Sequence, residues 1–120
     1  MGKPLGNDTI TILNAPLVFD PRDNTSYRDW DNPVATVVTK VMVEPFPMAE
    51  KLNFEDNRDR EFIRTAFRFY CPPSTEGVVL PTSRVVWGPY ELDVFGEPGP
   101  WRRFSGQTHH VAFIARERDG

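Results

Sequence analysis

Apolar and polar residues alternate with a period of two along much of this chain. Thr9-Ile-Thr-Ile-Leu13 alternates and is rich in β-branched residues, which predicts a first strand. Residues 35–43 (Ala-Thr-Val-Val-Thr-Lys-Val-Met-Val) predict a second, ended by Pro45 and Pro47 because neither can donate to a ladder. From Phe62 to Tyr70 the alternation places Ile63, Thr65, Phe67 and Phe69 on one face and Arg64, Ala66 and Arg68 on the other, until Cys71-Pro-Pro73 stops it. Ser83–Trp87 and Tyr90–Phe95 read as a hairpin around Gly88-Pro89, since Gly first in a two-residue loop suits a type II′ turn. In its second arm Tyr90, Leu92 and Val94 face inward and Glu91 and Asp93 outward. Gly96-Glu-Pro-Gly-Pro100 is expected to break that arm, and residues 101–108 to form a loop. His109–Arg116 is the last strand, with Val111, Phe113 and Ala115 in phase.

Two long segments lack this order. Residues 14–33 hold three prolines and the cluster Asp20-Pro-Arg-Asp-Asn-Thr-Ser26, and read as a loop whose aromatics Phe19, Tyr27 and Trp30 pin it to the barrel wall. Residues 44–61 carry six acids (Glu44, Glu50, Glu55, Asp56, Asp59, Glu61) against Lys51, Arg58 and Arg60, with Leu52 and Phe54 as the main apolar anchors. A segment this polar reads as a projecting loop, with at most one helical turn at 49–60. The fold expected is all-β: a small antiparallel barrel or sandwich of about six short strands with two long loops. Residues 1–120 form a single domain, of which 1–7 are expected to be a flexible N-terminus.

Composition narrows the picture. A chain of 120 residues makes one domain. Its 12 prolines, about twice the usual share, exclude a helical bundle. The net charge of -3 resides in residues 44–61, where six acids face three bases, so the remainder sums to zero. That balance argues against gripping nucleic acid by neutralising phosphates. The single Cys71 allows no internal disulfide, and a reducing compartment is expected. Neither a signal peptide nor a membrane span is expected from the apolar runs.

Catalytic chemistry finds little support. His109 and His110 are adjacent, and on a regular strand they face opposite sides and share no metal. Cys71 reads as a buried strand-end thiol. Glu91 and Asp93 share a face but are explained by solvation, as are Asp29 and Asp31 around Trp30. Gly96-Glu-Pro-Gly99 has proline where a phosphate loop needs N–H donors. No enzyme, cofactor or metal site is expected. The acidic segment has two readings, a solvated loop or a loop repeated around a ring, where each carboxylate becomes a ring of like charge repelling DNA.

The ordered set of segments resembles a family. It comprises the Thr-Ile-Thr-Ile-Leu strand, Arg28-Asp-Trp30, a Val-rich strand closed by Glu-Pro, and Asn57-Arg-Asp-Arg60. Phe67-Arg-Phe-Tyr-Cys-Pro-Pro73 follows, then Tyr90-Glu-Leu-Asp-Val-Phe-Gly-Glu-Pro98, Trp101 and a closing His-His-Val strand. Over residues 8–118 this is similar to the head-to-tail stopper (head-closure) proteins of long-tailed actinobacterial phages, the siphophage connector family. No single motif among them is diagnostic. The resemblance implies a virion neck protein made in the host cytoplasm, forming a homo-oligomeric ring, dodecameric in the virion. The ring would close the exit channel on packaged double-stranded DNA, below a head-tail adaptor and above tail terminator and tail tube proteins. It further implies that Glu44, Glu50, Lys51, Leu52, Phe54, Glu55, Asp56, Arg58, Asp59, Arg60 and Glu61 belong to a channel-plugging loop. Phe19, Tyr27, Trp30, Trp101, Arg102 and Arg103 are the candidate interface residues, with a lid over the barrel as the alternative for each Trp. Two other functions compete. One is a tail terminator or adaptor, which usually carries helices. The other is a single-strand nucleic-acid-binding barrel using Arg64, Arg68, Arg102 and Arg103.

Overall fold

The computed structural model describes residues 6–46, 48–51 and 61–118, and the strands at 48–51 and 61–64 by their pairing alone. The described residues form ten strands: β1 (Asp8–Asn14), β2 (Leu17–Asp20), β3 (Thr25–Arg28), β4 (Val34–Pro45), β5 (Met48–Lys51), β6 (Glu61–Arg64), β7 (Ala66–Cys71), β8 (Arg84–Trp87), β9 (Tyr90–Arg102) and β10 (Thr108–Glu117). The described residues contain no α-helix, only a 3₁₀ turn at Pro73–Thr75. Six strands close into an antiparallel barrel in the order β1-β4-β7-β10-β9-β8, with β8 returning to β1. The all-β barrel expected from the alternation is therefore what forms. β2–β3 and β5–β6 stand apart as two-stranded sheets.

The interior is filled from all six barrel strands. Ile10 and Ile12, Val38 and Val41, Phe69 and Cys71, Phe113 and Ala115, Leu92, and Val85 are buried together. Phe69 stacks on Phe113 with ring centres 5.0 Å apart. One end of the barrel is closed by an aromatic cluster, with Phe67 edge-on to Trp87 at 4.8 Å and Trp87 stacked on Tyr90. The other end is capped by residues 72–83. There Asn14 Nδ2 donates to Val78 O at 2.8 Å, and the Ser83 hydroxyl bonds Asn14 Oδ1.

Several expectations are corrected. Residues 14–33 are a β-hairpin, β2 with β3, not a long loop. Phe19 and Tyr27 do not pin it to the barrel, being 56 % and 53 % exposed. β4 runs through Pro45 instead of ending at Val43. Pro45 is its last position, where the lost donor costs no interior ladder bond. Within β4 a bulge sets one residue of β1 (Thr9, between Asp8 and Ile10) against two of β4 (Thr39 and Lys40, between Val38 and Val41), with Lys40 at φ 60. The bulge shifts the inward phase from Val38 to Val41, which strict alternation does not anticipate.

The segment 62–70 is two strands broken at Thr65. Thr65 is exposed and Ala66 buried, so their expected faces are exchanged. The proposed loop 44–61 has strand at each end, because β5 pairs with β6 from Met48↔Arg64 to Lys51↔Glu61. Nor does β9 break at Gly96-Glu-Pro-Gly-Pro100: it continues to Arg102. Three residues of β9 bulge opposite Phe113, between Phe95 and Gly99, with Gly96 at φ 80. Beyond Asp93, β9 has only β10 as a ladder partner, so the prolines remove no bond to a second neighbour. Gly88 adopts φ 56 at the first position of its two-residue turn, as expected.

The expected flexible N-terminus lies outside the described residues as far as Leu5. Gly6 packs on the β4 backbone, where an added Cβ would come within 2.7 Å of Met42 Cα. The radius of gyration is 16.9 Å, against about 14 Å for a compact domain of this length. Because Phe69 is fully buried at the centre of the barrel, Phe69→Ala should cost about 3–5 kcal/mol, read as a lower urea midpoint with unchanged slope.

Candidate interaction surfaces

Strand direction sorts the surface by barrel end. The β2–β3 arm connects the end of β1 to the start of β4. The cap 72–83 and the β9–β10 turn share that end. The β5–β6 arm leaves from the opposite end, where Phe46 N donates to Ala66 O at 2.9 Å and bridges its base.

Of the residues the resemblance assigns to a plug, Leu52, Phe54, Glu55, Asp56, Arg58, Asp59 and Arg60 lie outside the described residues. Glu50, Lys51 and Glu61 hold paired positions in β5 and β6. Glu44 sits on the outer barrel wall, accepts the Tyr70 hydroxyl at 2.8 Å and lies 3.9 Å from Arg68 Nη1.

The candidate interface residues fall into two groups. Trp30 is half-buried under the Arg84 guanidinium, 3.7 Å from its ring centre, and fastens the turn after β3 to β8. Phe19 and Tyr27 stand exposed on the β2–β3 arm. Trp101 is exposed at the end of β9 and stacks on His110 at 5.7 Å. Arg102 is held by Glu76 at 3.2 Å, and Arg103 lies in the following turn. Beside that turn stands Phe104, fully exposed, which the alternation pattern did not single out. Its signal was present in the sequence as an aromatic residue between Arg103 and Ser105 in a segment without acids.

Two chemical expectations resolve differently. Glu91 and Asp93 are ion-paired on the outer wall, with Arg118 at 3.0 Å and 3.4 Å, and Arg84 lies 3.7 Å from Asp93. They serve a surface network, as the solvated reading expected. The histidines do not diverge: the bulge between Thr108 and His110 brings their Nδ1 atoms to 2.8 Å. Opposed faces assume a regular pleat, and the bulge removes it. Among the described residues, no group of three His, Cys, Asp or Glu side chains forms a metal site. No helix there is long and apolar enough to cross a membrane. Two members of the basic patch are partnered: Arg68 lies over the Phe46 ring near Glu44 and Arg102 pairs with Glu76, while the side chain of Arg64 lies outside the described residues.

With this geometry, comparison with known proteins becomes informative at the level of fold. The chain is similar in fold to a chain in the virion of a native gene transfer agent particle. The TM-score is 0.59 with 18 % sequence identity, over 96 % of each chain. The phage-like element PBSX protein xkdH of Bacillus subtilis aligns over 92 % of each chain at 13 % identity, with a TM-score of 0.47. No family model and no curated protein matches the sequence. The first match shows a shared fold.

Two titratable side chains have altered chemistry. Burial pushes the Cys71 thiol up to about 12, with the Thr75 hydroxyl opposing in part. Cys71 should therefore stay unmodified by a thiol-specific reagent in native protein and react fully once urea unfolds it. Partial burial lowers His110 below its ordinary 6.5, and the neighbouring His109 adds to the effect. A lowered folded-state value means that the unfolded chain binds the proton more readily. The His110 contribution to stability is thus complete above pH 6.5 and declines as pH falls below it. His110→Gln should flatten the urea-midpoint profile between about pH 5 and 7.

Proposed function

We propose that this chain is a non-enzymatic structural protein of a phage-type virion. Specifically, it would be a ring-forming head-to-tail stopper of the neck, closing the DNA channel after packaging and receiving the tail. The observation carrying this reading is the shared fold, over 96 % of both chains, with a chain of a gene transfer agent virion. The architecture is compatible with it. Closure pairs β8 with β1, and past Asp93 β9 pairs with β10 alone, so that strand edge, the side-chain surfaces and the two arms are open to assembly. Arms leave both barrel ends, as a subunit with neighbours on several sides requires.

In this reading the β5–β6 arm and the residues between its strands form the plug, reaching the lumen around the ring. The five acids of residues 48–61 (Glu50, Glu55, Asp56, Asp59 and Glu61) would place like charge against packaged double-stranded DNA, Glu44 being held on the barrel wall. The adaptor would sit on one ring face and tail terminator or tail tube proteins on the other. The all-β fold disfavours the helix-bearing adaptor and terminator classes, and the partnered Arg68 and Arg102 disfavour a single-strand binder.

The bridged base of the β5–β6 arm permits a direct test. Replacing residues 48–64 with a short Gly-Ser turn should leave the melting temperature within a few degrees, since Phe46 and Ala66 already meet. In particles assembled with this variant, filled heads should lose their DNA. Infectious particles that retain DNA would overturn the plug. If the deletion fails to fold, charge reversal of Glu50 and Glu55 to Lys provides the same leakage readout.

A further inference from the structure

Two unlike surfaces share one end of the barrel. The β2–β3 arm is rooted between β1 and β4, and the β9–β10 turn between β9 and β10. In the closed order these pairs are separated by β7 on one side and β8 on the other. The arm and the turn therefore occupy opposite flanks of the same barrel end.

Their chemistry is complementary. Residues 14–33 hold four aspartates against two arginines, net -2, beside the exposed apolar side chains Leu17 and Phe19. Residues 98–116 contain no acid at all, and their tip presents Trp101, Arg103 and Phe104. The tip is built before anything binds it. The Arg102 guanidinium donates to Glu76 at 3.2 Å and to Gly106 O at 3.1 Å, while the Thr108 hydroxyl donates to Glu76 Oε1 at 2.7 Å. Arg103 N to Gln107 O, at 2.8 Å, closes the turn. A fixed turn holds Phe104 out in water at little further ordering cost on binding.

We propose that these surfaces are the two halves of one head-to-tail contact between copies of this chain. The basic aromatic tip of one copy seats on the acidic apolar β2–β3 arm of the next. The occupant is a second copy because this chain itself displays both complementary patches. A contact between two different patches on opposite flanks is heterologous, and it closes into a ring when its rotation permits. Aromatic and Arg anchors supply the energy, and opposite charge fixes the register. This inference rests on the ring reading above and names the contact that would build the ring.

The test uses full-length protein at high concentration, with oligomers followed by sedimentation and linkage by a short bis-maleimide. The buried Cys71 does not compete for the reagent. A chain carrying both Ser26→Cys, paired with Phe19 on the arm, and Ser105→Cys, next to Phe104, keeps both aromatics and should give a ladder of linked multimers. Either single variant alone should give none, and a mixture of the two should give only dimers. Arg103→Glu should weaken self-association by about tenfold or more, and added Asp23→Lys should restore most of it. Oligomers in sedimentation without a ladder would overturn this contact and leave the ring reading standing. Linked dimers from a single variant would show a symmetric contact and also overturn it. Absence of oligomers by both methods would overturn the contact and remove support for self-assembly, while the DNA-leakage test judges the neck role separately.

Discussion

The pairing of β8 with β1 is the constraint on which the rest of this molecule depends. Without Thr11↔Val86 and its neighbours, the six strands would be an open sheet with two unpaired edges and a half-exposed apolar face. Closure encloses that face, so Ile12, Val85, Leu92 and Phe69 lose contact with water together. The ladder edges it leaves open lie on β9 past Asp93 and on the two-stranded arms, which with the outer wall are the surfaces available for association.

The wall and the arms carry different kinds of polar group. Along the wall, charges are matched locally: Glu44 with Tyr70 and Arg68, Asp93 with Arg84 and Arg118, Glu76 with Arg102. Such exposed pairs contribute little stability each, but they hold neighbouring strands and turns in one arrangement. Exposed apolar side chains occur on the wall too, at Val34, Val37, Met42 and Phe95, but the exposed aromatics Phe19, Tyr27, Trp101 and Phe104 stand on the arm and the turn, with Leu17 beside them. A small monomer gains nothing from keeping these in water, which is why the arms bear the functional reading.

Strand existence was legible wherever one face is buried. Val111, Phe113 and Ala115 and the Tyr90–Val94 arm appear where alternation predicts them, because a period of two maps directly onto a half-buried strand. Alternation failed at irregularities. Lys40 in its bulge, Thr65 at the strand break and the bulge opposite Phe113 each shift the phase without a mark in the hydrophobic pattern. The histidine pair is the clearest case. Sequence adjacency implies divergence on a flat strand, yet one register shift brings the rings into contact. β2, β3 and β5 were missed for another reason. They are four residues each, and such strands are visible mainly through their pairing, whereas residues 62–64 of β6 lay within a strand that the alternation predicted.

The sequence by itself determined the class of fold, the inward residues of the regular strands and the division of charge along the chain. These depend on local properties: side-chain period, β-branching, proline and the count of ionised groups. The tertiary structure alone decided that the sheet closes and which strands neighbour one another. It also decided that an acidic apolar arm and a basic aromatic turn share one end of the barrel on opposite flanks. Those properties arise from pairing between residues far apart in the chain. Pairing is selected by burial of the whole interior at once, which no local pattern encodes.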